Sequence, residues 1–152
     1  MIPDTPVYGQ TREPYLIFVN DNSDDQQQIG QIYSSLNLQH RARYLQSGEE
    51  LFDFLERADD DELPSLIILD YNMKRLNGST LLMMIREERR YSQIPVVIYT
   101  NSLSHELEKE LLLLGATYCR KKRKGHESLK RLLIEFLSMA DISHDTMELL
   151  KR

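Results

Sequence analysis

Leu66-Ile67-Ile68-Leu69-Asp70-Tyr71-Asn72-Met73 is an apolar run that stops on a carboxylate. Four consecutive aliphatic residues suit a strand buried on both faces. Asp70 then stands at the carboxyl end of that strand, and in an open α/β sheet this rim is where ligands bind. A carboxylate at a strand end can also do no more than cap a turn. Its meaning therefore depends on what the other strands deliver to the same rim.

Working outward, Tyr15-Leu16-Ile17-Phe18-Val19 reads as a first strand, ending in Asn20-Asp21-Asn22-Ser23. Ile29, Ile32, Tyr33 and Leu36 recur at helical spacing within Asp24 to Leu38. Arg41 to Leu45 is a second strand, and Ser47-Gly48-Glu49-Glu50 opens a helix. Beyond Asp70, Asn77-Gly78 is a turn and Thr80 to Arg90 a helix. Pro95 introduces a fourth strand, Val96 to Thr100, and Leu103 to Leu114 forms a helix closed by Gly115. Thr117 to Lys121 is a fifth, more polar strand, and Glu127 to Met139 the last helix. Five alternations of strand and helix predict right-handed βαβ units and a doubly wound, five-stranded parallel sheet. Residues 14–140 form the domain, with extensions at 1–13 and 141–152, the latter able to continue the last helix.

Bulk properties narrow the function classes. The 152 residues are enough for one domain with a proper core. A net charge of −5 argues against a general nucleic-acid binder, which needs a basic footprint. One cysteine, Cys119, makes no internal disulfide and fits a reducing compartment. The start of the chain lacks the pattern of a signal peptide, and no apolar run approaches the ~20 residues that cross a bilayer. A cytoplasmic protein without a membrane partner is expected. His40, His105, His126 and His144 are scattered without ligand spacing.

With strand order 2-1-3-4-5, the first and third strands are neighbours and Asp21 and Asp70 face each other at the topological switch point. Two hard carboxylate ligands, helped by carbonyls and water, suit Mg²⁺. Thr100 and Lys121, at the ends of the fourth and fifth strands, add a hydroxyl and an ammonium. Metal and ammonium around one carboxylate prepare a site where phosphoryl oxygens are neutralised while the carboxylate attacks phosphorus.

These pieces, in this order, resemble the receiver domain of two-component response regulators, the group that includes the bacterial chemotaxis regulator. The resemblance rests on Phe18-Val19-Asn20-Asp21-Asn22-Ser23-Asp24-Asp25, on Leu69 to Met73 with Asn77-Gly78, on Pro95 to Thr100, and on Gly115-Ala116 with Tyr118 and Lys121. It implies a flavodoxin-like receiver fold that binds Mg²⁺. Asp70 would be the phosphoacceptor for a sensor histidine kinase or histidine phosphotransfer protein. Asp21 and the Asn72 backbone carbonyl would join Asp70 on the metal, with Asn20 acting through a water. Thr100 and Lys121 would bind phosphoryl oxygens, and Thr100 with Tyr118 would form the switch. Relatives dimerise through the fourth helix, fifth strand and fifth helix, so a homodimer there is an expectation.

Two departures stand out. The family has two adjacent acids at the first strand end, and Asn20 replaces one, which predicts weaker Mg²⁺ binding. Lys121 is followed by Lys122 where relatives have proline. The expected function is a single-domain phosphorylation switch, not an enzyme, whose output is a protein target or a relay. The alternative is a receiver-like interaction module that works without phosphate. A flavin or nucleotide enzyme fits less well, because the acidic loop Asn20 to Asp25 has no glycine to cradle phosphate. Arg120 to Lys124 reads as a solvated basic loop with one functional lysine.

Overall fold

The computed structural model describes residues 13–150. The expected N-terminal extension thus lies outside the described residues except for Glu13, as do positions 151 and 152 at the other end. Five strands, β1 (Leu16–Val19), β2 (Ala42–Leu45), β3 (Leu66–Asp70), β4 (Val96–Thr100) and β5 (Tyr118–Lys121), alternate with five helices. These are α1 (Ser23–Ser35), α2 (Gly48–Arg57), α3 (Gly78–Glu87), α4 (His105–Leu113) and α5 (His126–Leu150). The sheet is parallel throughout, in the order β2-β1-β3-β4-β5. The doubly wound fold and strand order read from the sequence are those observed.

Strand parity divides the core into two layers. Leu16, Phe18, Leu66, Ile68, Val97 and Tyr99 pack under α1 and α5, against Ile29, Tyr33, Leu132 and Phe136. Ile17, Val19, Ile67, Leu69, Val96 and Ile98 face the other way, against Leu51, Leu81, Ile85 and Leu111. The buried Tyr33 hydroxyl donates to the Leu133 carbonyl at 2.8 Å, which ties α1 to α5.

Polar side chains fix where helices begin, and so where the rim loops stop. Asn22 accepts from the Asp24 and Asp25 amides, Ser47 from Glu50, Asn77 from Thr80 and Ser104 from Leu107. Gly78 has no alternative: a Cβ there would lie 2.9 Å from the Tyr71 Cα. Gly115 follows α4 with φ of +111°, the left-handed turn expected for it. The last helix does not stop near Met139. It continues through Asp141 to Leu150, and Asp141 there accepts from the buried Arg41 guanidinium at 2.5 Å.

Candidate functional site

Asp70 ends β3 and is only 4% exposed. A buried carboxylate needs partners, and it has two. Its Oδ1 accepts the Asn72 amide at 3.0 Å, and its Oδ2 takes the Lys122 ammonium at 2.7 Å. Asp21 lies just past β1, the strand beside β3 in register Val19 to Leu69. It is exposed, and its Oδ2 accepts the Lys74 amide at 3.1 Å. A single loop, Asn72 to Lys74, thus donates to both carboxylates. Thr100 is fully buried at the end of β4. Its Oγ1 accepts from the Ser102 amide at 3.3 Å and the Asn72 side-chain amide at 3.4 Å.

Asn20 is buried and its amide is committed on both sides. Oδ1 accepts the Asn22 amide at 2.8 Å, and Nδ2 donates to Asp25 Oδ2 at 3.3 Å. Its backbone is held as well, by N–H donation to Leu45 and by the Gln26 side chain at 2.7 Å. Asn20 is therefore a structural clasp between β1 and α1.

The lysine expected at the rim was Lys121, and the structure corrects this by one residue. Lys121 is exposed, while Lys122 reaches Asp70. The cause is parity. Cys119 points into the layer with Ile98 and Leu111, so Lys121 leaves that face of the sheet and Lys122 the opposite one. Asp70 shares the Ile68 face, the one covered by α1 and α5, so the lysine that meets it must come from the same side. The residue in the proline position becomes Arg123. Sequence alone gave no clear face for β5, a short polar edge strand in which only Cys119 is buried.

Parity also separates Tyr118 from Thr100. The Tyr118 ring is 40% exposed beneath the Arg120 guanidinium, 5.3 Å from its centroid, on the α5 side. Thr100 belongs to the opposite face, where Cys119 is the β5 side chain in the core. The expected Thr100–Tyr118 switch pair is thus not brought together. Arg120 is bound to Glu135 of α5 at 2.9 Å, and Lys122 is drawn inside, so the basic run is not one surface patch.

Lys122 is held from several sides. Besides Asp70 it contacts Asp25 Oδ2 at 3.0 Å and lies 5.4 Å above the Tyr99 ring. Burial pulls its pKa down, but hydrogen bonds to Asp70 and Asp25 outweigh burial and hold the ammonium above the usual lysine range. Burial likewise raises the Tyr99 phenol. Asp25 was not singled out from the sequence, although a signal existed. It precedes Ile29 by four residues and so extends the buried stripe of α1 by one turn, to the rim.

For a divalent cation, the described residues offer Asp21, Asp70 and the carbonyl of Asn72 from the connecting loop. This all-oxygen set fits a Mg²⁺ ion that keeps several waters. A second acidic group, Asp59, Asp61 and Glu62, precedes β3 at the far end of the sheet. A cavity of about 720 Å³ lies at that end too, lined by Tyr15, Arg41, Arg43 and Ser65. A smaller one of about 350 Å³ lies between α1 and the β5–α5 connection, bounded by Asp25, Tyr99, Lys122 and Arg123.

The family model of the response regulator receiver domain matches residues 16–134. The chain belongs to this family. Receiver domains are signalling switches of two-component systems. Among curated proteins, the receiver is 27% identical over 100 residues to the probable methanogenesis regulatory protein FilR2 of Methanothrix harundinacea, covering 64% of each chain. It is 27% identical over 90 residues to response regulator Rcp1 of Synechocystis, covering 57% of this chain and 61% of that one. It is 34% identical over 88 residues to two-component response regulator ORR5 of rice, covering 58% and 62%. The chain thus spans less than two thirds of these relatives' length. Among solved structures, phosphorylated RcpA, a cyanobacterial phytochrome response regulator, aligns with a TM-score of 0.71 at 23% identity, over 85% of this chain and 97% of that one. The Mn²⁺-bound form of Rcp1 aligns at 0.65 and 22%, over 79% and 89%. These likenesses are of fold. No described helix is long and apolar enough to cross a membrane.

Proposed function

We propose that this receiver is a phosphorylation switch in which Asp70 accepts a phosphoryl group from a phosphohistidine on a sensor kinase or phosphotransfer protein. The observation that carries this reading is the buried Asp70 carboxylate with the Lys122 ammonium 2.7 Å away and Thr100 bonded to the same loop. Asp21, Asp70 and the Asn72 carbonyl would hold Mg²⁺, which when bound supplies positive charge opposite the phosphoryl oxygens.

The chain's own groups divide the remaining work. An Asp70 oxygen attacks phosphorus, a new P–O bond forms, and the bond from phosphorus to the donor nitrogen breaks. Burial keeps bulk water from the carboxylate. Lys122 neutralises charge on the incoming oxygens. Thr100 already accepts two N–H groups at its oxygen, which directs its own proton toward a phosphoryl oxygen. Thr100 is the switch residue in this reading, without Tyr118. The α4-β5-α5 face carries exposed Leu112, Leu113 and Ile134 and is proposed as a contact for a second copy or a downstream protein. A cytoplasmic location suits this role.

One observation favours the alternative of a phosphate-independent interaction module. Asn20 gives its amide to Asp25 where relatives have an acid. Incubation with Mg²⁺ and a small acyl phosphate, followed by intact mass, separates the two readings. Gain of one phosphoryl group, lost in Asp70→Asn, supports the switch. No gain from acyl phosphate or phosphohistidine donors supports the module.

A further inference from the structure

We infer that Asp25 is a positioning residue that competes for Lys122 and withholds it from any anion on Asp70. The inference deepens the phosphoryl-switch reading and rests on it. Three observations meet at Asp25. Its Oδ2 lies 3.0 Å from the Lys122 ammonium, which is itself 2.7 Å from Asp70. The same oxygen accepts the Asn20 amide at 3.3 Å, so Asp25 is oriented by the residue that stands in place of a rim acid. It also sits in the first turn of α1, beside the Asn22 cap, and lines a cavity that Lys122 borders as well.

Charge bookkeeping explains the arrangement. Two acids at the β1 end plus Asp70 and a lysine give a net charge of −2, the family arrangement. Here Asn20 removes one charge from the β1 end, and Asp25 places a carboxylate beside Lys122. That carboxylate stands five residues along the chain from Asn20, on the lysine side of Asp70. There it has a different effect. An ammonium between two carboxylates is shared. When an anion arrives at Asp70, Lys122 must leave Asp25 to meet it, and Asp25 then keeps only the Asn20 amide. Asp25 thereby raises the cost of reaching the phosphorylated state and couples that state to the start of α1.

The test uses the full chain as wild type, Asp25→Asn, Asp25→Glu and Asp24→Asn. Asp24 is exposed, carries the same charge in the same helical turn, and its carboxylate is not bonded to Asp21, Asp70 or Lys122, so it controls for general charge and helix-end effects. Trifluoroberyllate, a phosphoryl mimic, is titrated at saturating Mg²⁺ by calorimetry. Asp25→Asn should bind it roughly threefold to tenfold more tightly, Asp25→Glu should resemble wild type, and Asp24→Asn should change little. A denaturant double-mutant cycle of Asp25→Asn with Lys122→Met reads the contact without any anion. A coupling on the order of threefold to tenfold in the unfolding constant is expected.

Equal or weaker mimic binding in Asp25→Asn overturns the inference, as does zero coupling in the cycle. An equal gain in Asp24→Asn also overturns it. Absence of mimic binding in every variant would instead overturn the phosphoryl reading itself and take the inference with it. The two failures are therefore distinguishable.

Discussion

At the scale of the residue, Lys122 and Lys121 are chemically alike and differ only in strand parity. Lys122→Gln should slow phosphorylation by an acyl phosphate on the order of a hundredfold, while Lys121→Gln should leave the rate within about twofold; rates come from intact mass against time. Equal effects would contradict the assignment. Asn20 belongs at this scale too. Restoring the acid with Asn20→Asp should tighten Mg²⁺ roughly threefold to tenfold, read by tyrosine fluorescence. Affinity in wild type equal to or above that of the variant would refute it. The rim positions of Asp21, Asp70 and Thr100 were legible in the sequence because each stands at or just past the end of a well-marked apolar strand. The lysine was not, because β5 is short, polar and at the sheet edge. Asp25 escaped notice because a carboxylate in a first helical turn already has an ordinary role at the helix dipole.

At the scale of the element, the β3–α3 connection decides whether Asp70 is presented correctly. The Asn72 amide holds Asp70, the Lys74 amide holds Asp21, and Gly78 lets α3 begin against Tyr71. Gly78→Ala should destabilise the fold by about 1–3 kcal/mol, measured by denaturant unfolding, because the added Cβ meets backbone that cannot rotate away. The same variant should lose phosphorylation rate beyond its loss of folded protein, since the displaced segment carries Asn72. Strand existence and order could be read from apolar runs and their rhythm. Helix ends shifted by a few residues, as with α3, which starts at Gly78 because Asn77 caps it. Along α5, Asp141 takes a tertiary contact from Arg41 that joins residues a hundred positions apart.

At the scale of the whole molecule, buried or clasped groups that hold their protons, Cys119, Tyr44 and Lys122 among them, make stability fall in alkali. Burial pushes the Cys119 thiol up to about 11, and burial pushes the Tyr44 phenol up to about 12. Lys122 is raised by its two carboxylates against the pull of burial. Each raised value means the folded state holds its proton to higher pH than the unfolded chain does. The resulting stability is complete below the unfolded values, about 9 for the thiol and about 10 for phenol and ammonium, and is lost as pH rises through the folded ones. Unfolding free energy should be flat up to about pH 8 and decline from there toward pH 12. Cys119→Ala should remove the first part of the decline; an unchanged profile would contradict the thiol assignment. Separately, Tyr33→Phe, which breaks the bond joining α1 to α5, should cost about 1 kcal/mol without altering phosphorylation.

Phosphoryl transfer to Asp70 leaves a mark that can be located directly. Treatment of the receiver with a small acyl phosphate and Mg²⁺, then reduction with borohydride and peptide mass spectrometry, locates an aspartyl phosphate as homoserine. Homoserine is expected at position 70 alone, and none in Asp70→Asn. Label at Asp21 or Asp25, or no label from any phosphodonor, would contradict it.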